Sequence, residues 1–213
     1  TFFPNEALQH ADSVVVGPAE GVWGQVMEDA GAGSLVRVYR QAKPVGLKGI
    51  TYDRSIFKDK HYSPFVPVEF NRGCKYSCEF CSVAAFNRNR HISRPIGEVV
   101  REIKGLNAKT VVIVDDNLYA DERKAEELFR ALIPLKIRWG AQVSIDIADN
   151  DEMLRLIAKS GCMAVSIGFE SLNPANLKKM NKSFNTLRND YAAAIKKIYA
   201  HGIMIQAFFL FGY

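Results

Sequence analysis

From about residue 65 onward, apolar residues follow two alternating periodicities. Runs typical of β-strands recur five times, and between them apolar residues are spaced as on one face of a helix. The runs are residues 65–71, 110–114, 138–145, 164–169 and 203–211. Strands that alternate with helices in this way predict parallel strands joined by crossover connections. We therefore expect an α/β fold, either a partial parallel (β/α) barrel or an open layer.

The first 64 residues have a different pattern. An apolar run over residues 11–16 leads through a glycine-containing loop, Gly17–Gly21, into residues with helical spacing. This order is typical of a strand, loop and helix unit in an α/β sheet. The stretch that follows carries Gly and Pro without sustained periodicity, as linkers do. The predicted organisation is an α/β unit over 1–40, a linker over 41–64 and a second domain over 65–213.

Composition and charge narrow the class of protein. The 213 residues are 48% hydrophobic and 24% charged, which is enough apolar material for a core. The formal net charge is +5, but the basic residues are dispersed apart from Arg88, Arg90 and Arg94, so nucleic acid is not favoured as a partner. Those three arginines either contact an anionic substrate or remain solvated. No membrane span or signal peptide is recognisable, so we expect a cytoplasmic protein.

Three of the four cysteines form the strongest chemical signal. Cys74, Cys78 and Cys81 have the spacing C-x3-C-x2-C, between an extended run and a loop. Iron-sulfur clusters are held by cysteine thiolates, usually four, so three would leave one iron of a cubane open to a small molecule. The alternatives are a zinc site completed by His91 or His61 and a disulfide with a free thiol.

Polar residues stand at the carboxyl ends of the other predicted strands. They are Asp115, Asp116 and Asn117 after the second strand, Gln142, Ser144 and Asp146 at the third, and Glu170 and Ser171 at the fourth. Parallel strands share one carboxyl edge, where α/β folds bind ligands, so we expect one pocket beside the cysteines. Carboxylates and amides suit an ammonium group and ribose hydroxyls. The alternative for each residue is that it only caps or turns the chain.

The cysteine spacing, the aromatic Phe80 before the third cysteine and the βα repeats together resemble the radical S-adenosylmethionine (SAM) superfamily. The resemblance covers about residues 65–213. It implies that Cys74, Cys78 and Cys81 hold a 4Fe-4S cluster whose open iron chelates the amino and carboxylate groups of SAM. Phe80 would then lie near the adenine.

The same resemblance implies contacts between SAM and the strand ends. Residues 115–117 take the place of the family's Gly-Gly-Glu segment, which binds the methionyl amine, without matching it literally. Glu170 and Ser171 stand where the family contacts ribose. Ser144 or Gln142 would face the same ligand from the third strand.

Longer runs are similar to one branch of the superfamily. RGCKYSCEFCSVAAF, VVIVDDN, SIGFESL and HGIMIQAFFLFG resemble the cobalamin-dependent group that contains anaerobic porphyrin cyclases and class B methylases. In that group a cobalamin-binding domain precedes the radical domain. ADSVVVGPAEGVW is similar to the end of such a domain, with Gly17–Gly21 facing the nucleotide tail. The Asp-x-His-x-x-Gly motif of many such domains is not present in the sequence, so no residue is assigned to cobalt.

The implied function is reductive cleavage of SAM. A reductant such as flavodoxin or ferredoxin supplies one electron, and the resulting 5'-deoxyadenosyl radical abstracts hydrogen from an unknown substrate. With cobalamin in the full-length protein, the outcome would be methyl transfer or cyclisation. The chain starts at Thr1 without a Met and stops at Tyr213 just after a strand-like run. We therefore expect a fragment, truncated after its fifth strand, whose activity depends on the rest of the protein.

Two other functions share part of this pattern. A tRNA methylthiotransferase has the same cysteine spacing but needs an N-terminal domain with its own cysteines, and residues 1–64 contain none. A non-catalytic iron-sulfur electron carrier would need a fully coordinated cluster, for which Cys162 is the remaining cysteine. Because Cys162 follows Gly161 at a strand entrance, we interpret it as a small buried hydrophobe.

Overall fold

A computed structural model describes residues 2–41, 45–60, 62, 64–87, 90–186 and 190–213. Two residues considered above, His61 and Arg88, lie outside the described residues. The chain divides into two compact units, Thr1–Gly46 and Leu47–Tyr213. The second unit thus begins earlier than the domain predicted over 65–213. Assignment of the first unit to a cobalamin-binding domain stays a prediction.

The first unit contains two parallel strands and two helices. They are Pro4–Ala7 (α1), Val14–Val16 (β1), Trp23–Gly31 (α2) and Val38–Arg40 (β2). The sequence pattern predicted β1 and α2, but no periodicity indicated β2, which pairs in parallel with β1. Tyr39 of β2 is buried, and its hydroxyl donates a hydrogen bond to Asp29 on α2 at 2.5 Å. This contact and the strand pairing hold the unit together.

The second unit is organised on a five-stranded parallel sheet. The strands of this unit, in the sheet and outside it, are Val66–Val68 (β3), Asn71–Arg72 (β4), Ile92–Ser93 (β5), Thr110–Ile113 (β6), Arg138–Val143 (β7), Cys162–Glu170 (β8) and Met204–Phe209 (β9). The sheet has the order β3-β6-β7-β8-β9, and every neighbouring pair is parallel. Strands β4 and β5 form a separate antiparallel pair. Each of the five predicted runs supplies one strand of the sheet, and the predicted α/β class is confirmed.

Helices join these strands. They are Ser82–Asn87 (α3), Ile96–Gly105 (α4), Glu122–Leu132 (α5), Asp151–Lys159 (α6), Pro174–Lys179 (α7) and Tyr191–Ala200 (α8). Asp121 and Asn150 precede α5 and α6, and their side chains accept the N–H groups of Lys124 and Met153. Such bonds satisfy donors that a helix start leaves open. Across the part of the chain described, no helix is long and apolar enough to cross a membrane.

The two faces of the sheet have different environments. Side chains of a strand alternate between faces, and Ile113, Trp139 and Ile167 are buried against the helices in one core. Gln142 and Ser166 lie on the opposite face, which is more open. The core therefore fixes the sheet from one side and leaves the other side, with the carboxyl edge of the strands, accessible to ligands.

Arg94 has neither of the roles considered for it from the sequence. Its side chain is 3% exposed, and Nη1 lies 2.6 Å from a Glu102 carboxylate oxygen and 2.8 Å from the Glu69 carbonyl oxygen. Nη2 donates to the carbonyl of Ile50. The guanidinium thus joins the chain before β3 to α4, so it is a buried structural cation.

We expect Phe129→Ala to lower the free energy of unfolding by about 3–5 kcal/mol. Phe129 is fully buried, and its ring is stacked on Trp139 with centroids 5.4 Å apart. Urea denaturation followed by circular dichroism measures the change. Phe211→Ala, at a position that is 90% exposed, is the control and should change stability by less than about 0.5 kcal/mol. Equal losses in the two variants would contradict this description of the core.

Candidate functional site

The cysteine loop, residues Gly73–Cys81, begins directly after β4, which pairs with β5 outside the five-stranded sheet. Gly73 has a φ of +91°, and a Cβ built there would lie 1.9 Å from the carbonyl oxygen of Arg90. The loop therefore needs glycine at this position, because other residues rarely adopt this φ and would collide with the neighbouring backbone. The sharp turn brings the three cysteines back over the carboxyl edge of the sheet.

Two carboxylates at the end of β6 hold the start of this loop. Asp115 Oδ1 accepts the N–H of Phe70 at 2.8 Å, and Asp116 Oδ2 accepts the N–H of Gly73 at 2.7 Å. Asp115 is 4% exposed, and burial raises its pKa to about 7, although N–H groups of Phe70 and Asn71 act in the opposite direction. Its carboxyl group therefore changes charge near neutral pH.

Asn117 connects the loop to the next strand. Its Nδ2 lies 3.4 Å from Cys74 Sγ and 3.1 Å from Ser144 Oγ. Its Oδ1 accepts the N–H groups of Tyr119 and Ser144. One amide side chain thus fixes the end of β6, the residue after β7 and one thiol in a single arrangement.

The three thiols and the strand ends line one cavity of about 310 Å³. From the predicted set, its lining contains Cys74, Cys78, Cys81, Phe80, Asp115, Asp116, Asn117, Gln142, Ser144 and Glu170. Ser171 is not among these lining residues, and its hydroxyl accepts the N–H of Asn173 at 3.1 Å. Asp146, which was also expected in this pocket, lies outside the lining as well, and the fold brings the other predicted residues together. Their individual roles in binding a cofactor stay predictions.

Glu170 enters the cavity through a local irregularity of β8. The pairing of β8 with β9 shifts between Gly168 and Glu170, and Glu170 has a φ of +61°. A Cβ at Gly168 would lie 2.2 Å from Glu170 Oε1, so the glycine leaves space for this carboxylate. Backbone strain of this kind is common at functional sites.

The cavity also contains residues that the sequence analysis did not select, namely Tyr76, Lys182, Phe184 and Asn185. Lys182 forms an ion pair with Glu170, with 2.9 Å between Nζ and Oε1, and the two side chains are only 12% and 11% exposed. Its Nζ lies 6.0 Å from the ring centre of Phe80 and 5.6 Å from that of Phe184. Tyr76 lies inside the cysteine motif and could have been found there. Lys182 follows α7 in a stretch without periodicity, so no pattern indicated it.

The stretch 180–184 also holds the second half of the cysteine loop. Glu79 donates its N–H to the carbonyl of Met180 at 3.0 Å, and Asn181 Nδ2 donates to the carbonyl of Ser77 at 2.8 Å. The rings of Tyr76 and Phe184 are stacked with 3.5 Å between their centroids. The loop is therefore supported from β6 on one side and from residues after α7 on the other.

The donor set fits a cluster held by three thiolates. The thiols lie on one short loop at one cavity wall, and two N–H donors point at Cys74 Sγ, from Asn117 at 3.4 Å and from Tyr76 at 3.5 Å. Hydrogen bonds to sulfur are a regular feature of iron-sulfur sites. Burial raises the pKa of the Cys78 thiol, while the charge of Lys182 acts against this rise.

The other metal-site candidates lie elsewhere. Within the described ranges, no three His, Cys, Asp or Glu side chains converge as they would on a single metal ion. His91 is outside the cavity lining. Cys162 is buried at the beginning of β8, where Sγ lies 3.6 Å from the Ala164 carbonyl oxygen, and burial raises its pKa to about 12. These surroundings fit an inert thiol.

Fold and site together define a class: a parallel α/β domain with three cysteines on one loop beside a polar cavity at the carboxyl edge of its strands. Comparison with known families agrees, because residues 68–212 match the Radical SAM superfamily. The chain belongs to this superfamily, a class of enzymes that use a 4Fe-4S cluster and SAM. The predicted family and its cofactor class are thereby confirmed.

The chain is similar to several curated proteins. It is 33% identical to bacteriochlorophyllide d C-12(1)-methyltransferase of Chlorobaculum tepidum, over 100% of this chain and 49% of that protein. It is 26% identical to the C-8(2)-methyltransferase of the same organism, over 99% of this chain and 51% of that protein. Anaerobic magnesium-protoporphyrin IX monomethyl ester cyclase of Rubrivivax gelatinosus is 29% identical over 78% of this chain and 32% of the cyclase. The chain spans about half the length of the first two relatives.

Solved structures show the same fold. The radical SAM methyltransferase TsrM of Kitasatospora setae, with cobalamin and a 4Fe-4S cluster bound, matches with a TM-score of 0.61 and 19% identity, over 70% of this chain and 31% of TsrM. The cobalamin-dependent radical enzyme OxsB, with aqua-cobalamin bound, matches with a TM-score of 0.64 and 16% identity, over 98% of this chain and 35% of OxsB. At these identities the likeness shows the fold alone.

We expect Gly73→Ala to disrupt the cysteine loop and to lower the free energy of unfolding by about 1–3 kcal/mol. Iodoacetamide should then alkylate the loop thiols several-fold faster than in the wild type. The reason is the positive φ and the 1.9 Å approach to Arg90. Gly97→Ala is the matched control, since nothing lies within 4 Å of a Cβ there and the position is in α4. That control should be neutral or more stable by about 0.5–1 kcal/mol. Unchanged alkylation in Gly73→Ala would show that the loop tolerates a side chain.

Proposed function

We propose that the full-length protein is a radical SAM enzyme that uses SAM cleavage for methyl transfer to a carbon atom. The observation that carries this proposal is the single cavity in which Cys74, Cys78 and Cys81 face the polar strand ends. When bound, the cluster would supply the electron that cleaves one SAM into methionine and a 5'-deoxyadenosyl radical, which removes a hydrogen atom from the substrate carbon. Because that methionine keeps its methyl group, a second SAM would have to donate the methyl group that is transferred. A reductant such as flavodoxin or ferredoxin is the source of that electron.

The lining of the cavity offers groups that suit the charges and the adenine ring of SAM. Its methionyl part carries an ammonium and a carboxylate group, and the cavity offers carboxylates from Asp116 and Glu170 and a cation from Lys182. The aromatic rings of Phe80 and Phe184 provide apolar surfaces for an adenine. Lys182 is the proposed partner of the SAM carboxylate, because its ion pair with Glu170 leaves further donors on the ammonium group.

The share of this chain that matches each relative favours methyl transfer over cyclisation. The two bacteriochlorophyllide methyltransferases match 100% and 99% of this chain, whereas the Rubrivivax cyclase matches 78%. Cobalamin is proposed by likeness to TsrM and OxsB. In the first unit, the flexible end of the Gln41 side chain lies beside Gly21. We assign no cobalamin contact in this unit and derive no step through that cofactor.

We expect Cys74→Ala, Cys78→Ala and Cys81→Ala each to abolish 5'-deoxyadenosine formation by the full-length protein. Each variant removes one of three cluster ligands. After anaerobic reconstitution with iron and sulfide and addition of dithionite and SAM, iron content and 5'-deoxyadenosine are measured. Cys162→Ala is the control and should retain both, because this thiol is buried away from the cavity. If the wild-type protein binds iron and sulfide but forms no 5'-deoxyadenosine, the proposal is wrong.

Lys182→Met should weaken SAM binding at least about tenfold, since it removes a buried cation and leaves Glu170 without its ion-pair partner. Lys182→Arg keeps the charge and is expected to retain most of the affinity. Equilibrium dialysis with labelled SAM gives the Kd for both variants. Iron content and thermal stability are measured in parallel, so that loss of the cavity is separated from loss of the charge. A Kd in Lys182→Met equal to that of the wild type would refute the role of Lys182.

A further inference from the structure

A second charged pair joins the first half of the cysteine loop to the residues after β7, and SAM binding does not explain it. Lys75, the residue after Cys74, has its Nζ 2.6 Å from Asp146 Oδ2. The neighbouring Tyr76 donates its hydroxyl to the same oxygen at 2.7 Å. Asp146 follows β7 and is 9% exposed. Two consecutive side chains of the loop therefore converge on one buried carboxylate.

Other carboxylates surround this pair, since Asp146 lines a second cavity together with Glu122, Asp149, Asp151 and Glu152. The Lys75 side chain is 28% exposed, and its Nζ lies 5.2 Å from the ring centres of Tyr76 and Tyr119. Another carboxylate, Glu122, is farther away at 3.8 Å and its side chain is 57% exposed. The pKa of Asp146 is lowered by Lys75 and by hydrogen bonds from Ser144 and Tyr76, which outweigh the effect of burial. The charged form of Asp146 is therefore stabilised, with Lys75 as its ion-pair partner.

We propose that Asp146 is a positioning residue for the cysteine loop and that its pair with Lys75 sets the electrostatic environment of the cluster. The inference rests on the proposed cluster at Cys74, Cys78 and Cys81. Asp146 does not line the cavity with the thiols, so it acts through Lys75 and Tyr76. It thus joins the end of β7 to the loop, as Asp116 and Asn117 join the end of β6.

The Lys75–Asp146 pair would change the reduction potential of the cluster, which a purely structural contact would not do. A cluster with three thiolate ligands is negatively charged, and reduction adds one electron. Removal of the Asp146 charge leaves the Lys75 cation, next in the chain to Cys74, with only the more distant and exposed Glu122 as a partner, which stabilises the reduced state and raises the potential. Removal of the Lys75 charge leaves a buried anion, which lowers the potential. At partly buried positions such charges are weakly screened, so both shifts persist in salt.

Four variants separate charge from hydrogen bonding. Asp146→Asn keeps an oxygen that accepts the Tyr76 hydroxyl but removes the charge, and Lys75→Met removes the partner charge. The double variant removes both, and Tyr76→Phe removes the hydrogen bond alone. Glu126→Gln is the matched control, because Glu126 pairs with Arg130 on an exposed part of α5.

Reduction potentials of the reconstituted full-length protein are measured by redox titration followed by electron paramagnetic resonance. We expect a higher midpoint potential in Asp146→Asn, a lower one in Lys75→Met, and values close to wild type in the double variant, Tyr76→Phe and Glu126→Gln. Shifts of the same sign in the two single charge variants, or shifts no larger than in Glu126→Gln, would overturn the electrostatic role.

Hydrogen exchange of the cluster-free protein tests the positioning role without the cluster. Amides of residues 74–81 should exchange several-fold faster in Lys75→Met and Tyr76→Phe than in the wild type, while the core strands stay protected. Unchanged exchange in this loop overturns the positioning role. A wild-type protein that binds no iron and sulfide would instead overturn the proposed function and, with it, the electrostatic role.

Discussion

Attachment of the cysteine loop to the ends of β6 and β7 is the constraint on which the site depends. A nine-residue loop with three thiols has little apolar surface of its own to bury, so its order comes from polar contacts with neighbouring elements. Asp116 holds the Gly73 amide, Asn117 contacts the Cys74 thiol, and Asp146 binds two side chains of the loop. These bonds act together because β6 and β7 are paired in a fixed parallel register.

That register depends in turn on the core. The helices bury one face of the sheet, and Trp139 on β7 is fully buried against Phe129 on α5, with its indole N–H donating to the carbonyl of Ser160. A shift of one residue in β7 would turn these core side chains toward the cavity. Packing of the buried face therefore fixes the positions of Ser144 and Asp146, which follow β7, relative to the cysteines. Packing on one face of the sheet and chemistry at its edge are not independent.

Periodicity and motif spacing could predict the five strands, the shared edge and the three thiols. They could not predict contacts made by irregular segments, because such contacts depend on where a turn ends in space. Lys182 enters the cavity only because Asn181 and Met180 are bonded to the cysteine loop. Strand β2 was missed because it is short and its pairing with β1 is non-local. Arg94 was misjudged because its carboxylate partner, Glu102, lies eight residues farther along the chain, inside α4, and could not be assigned from the charge pattern.

The arrangement of charge supports the proposal that one cavity serves both a cluster and a zwitterion. Lys182 is neutralised by Glu170, and Lys75 by Asp146, so each cation near the thiols has its own carboxylate. A ligand that carries both an ammonium and a carboxylate group can pair its ammonium with Glu170 and its carboxylate with Lys182. No net buried charge is then left, and such a charge would be costly in a protein interior. The second pair lies outside the cavity lining, so a ligand in the cavity does not need either of its members as a partner. The stacked rings of Tyr76 and Phe184 lie between the two pairs, since Tyr76 binds Asp146 and Phe184 contacts Lys182.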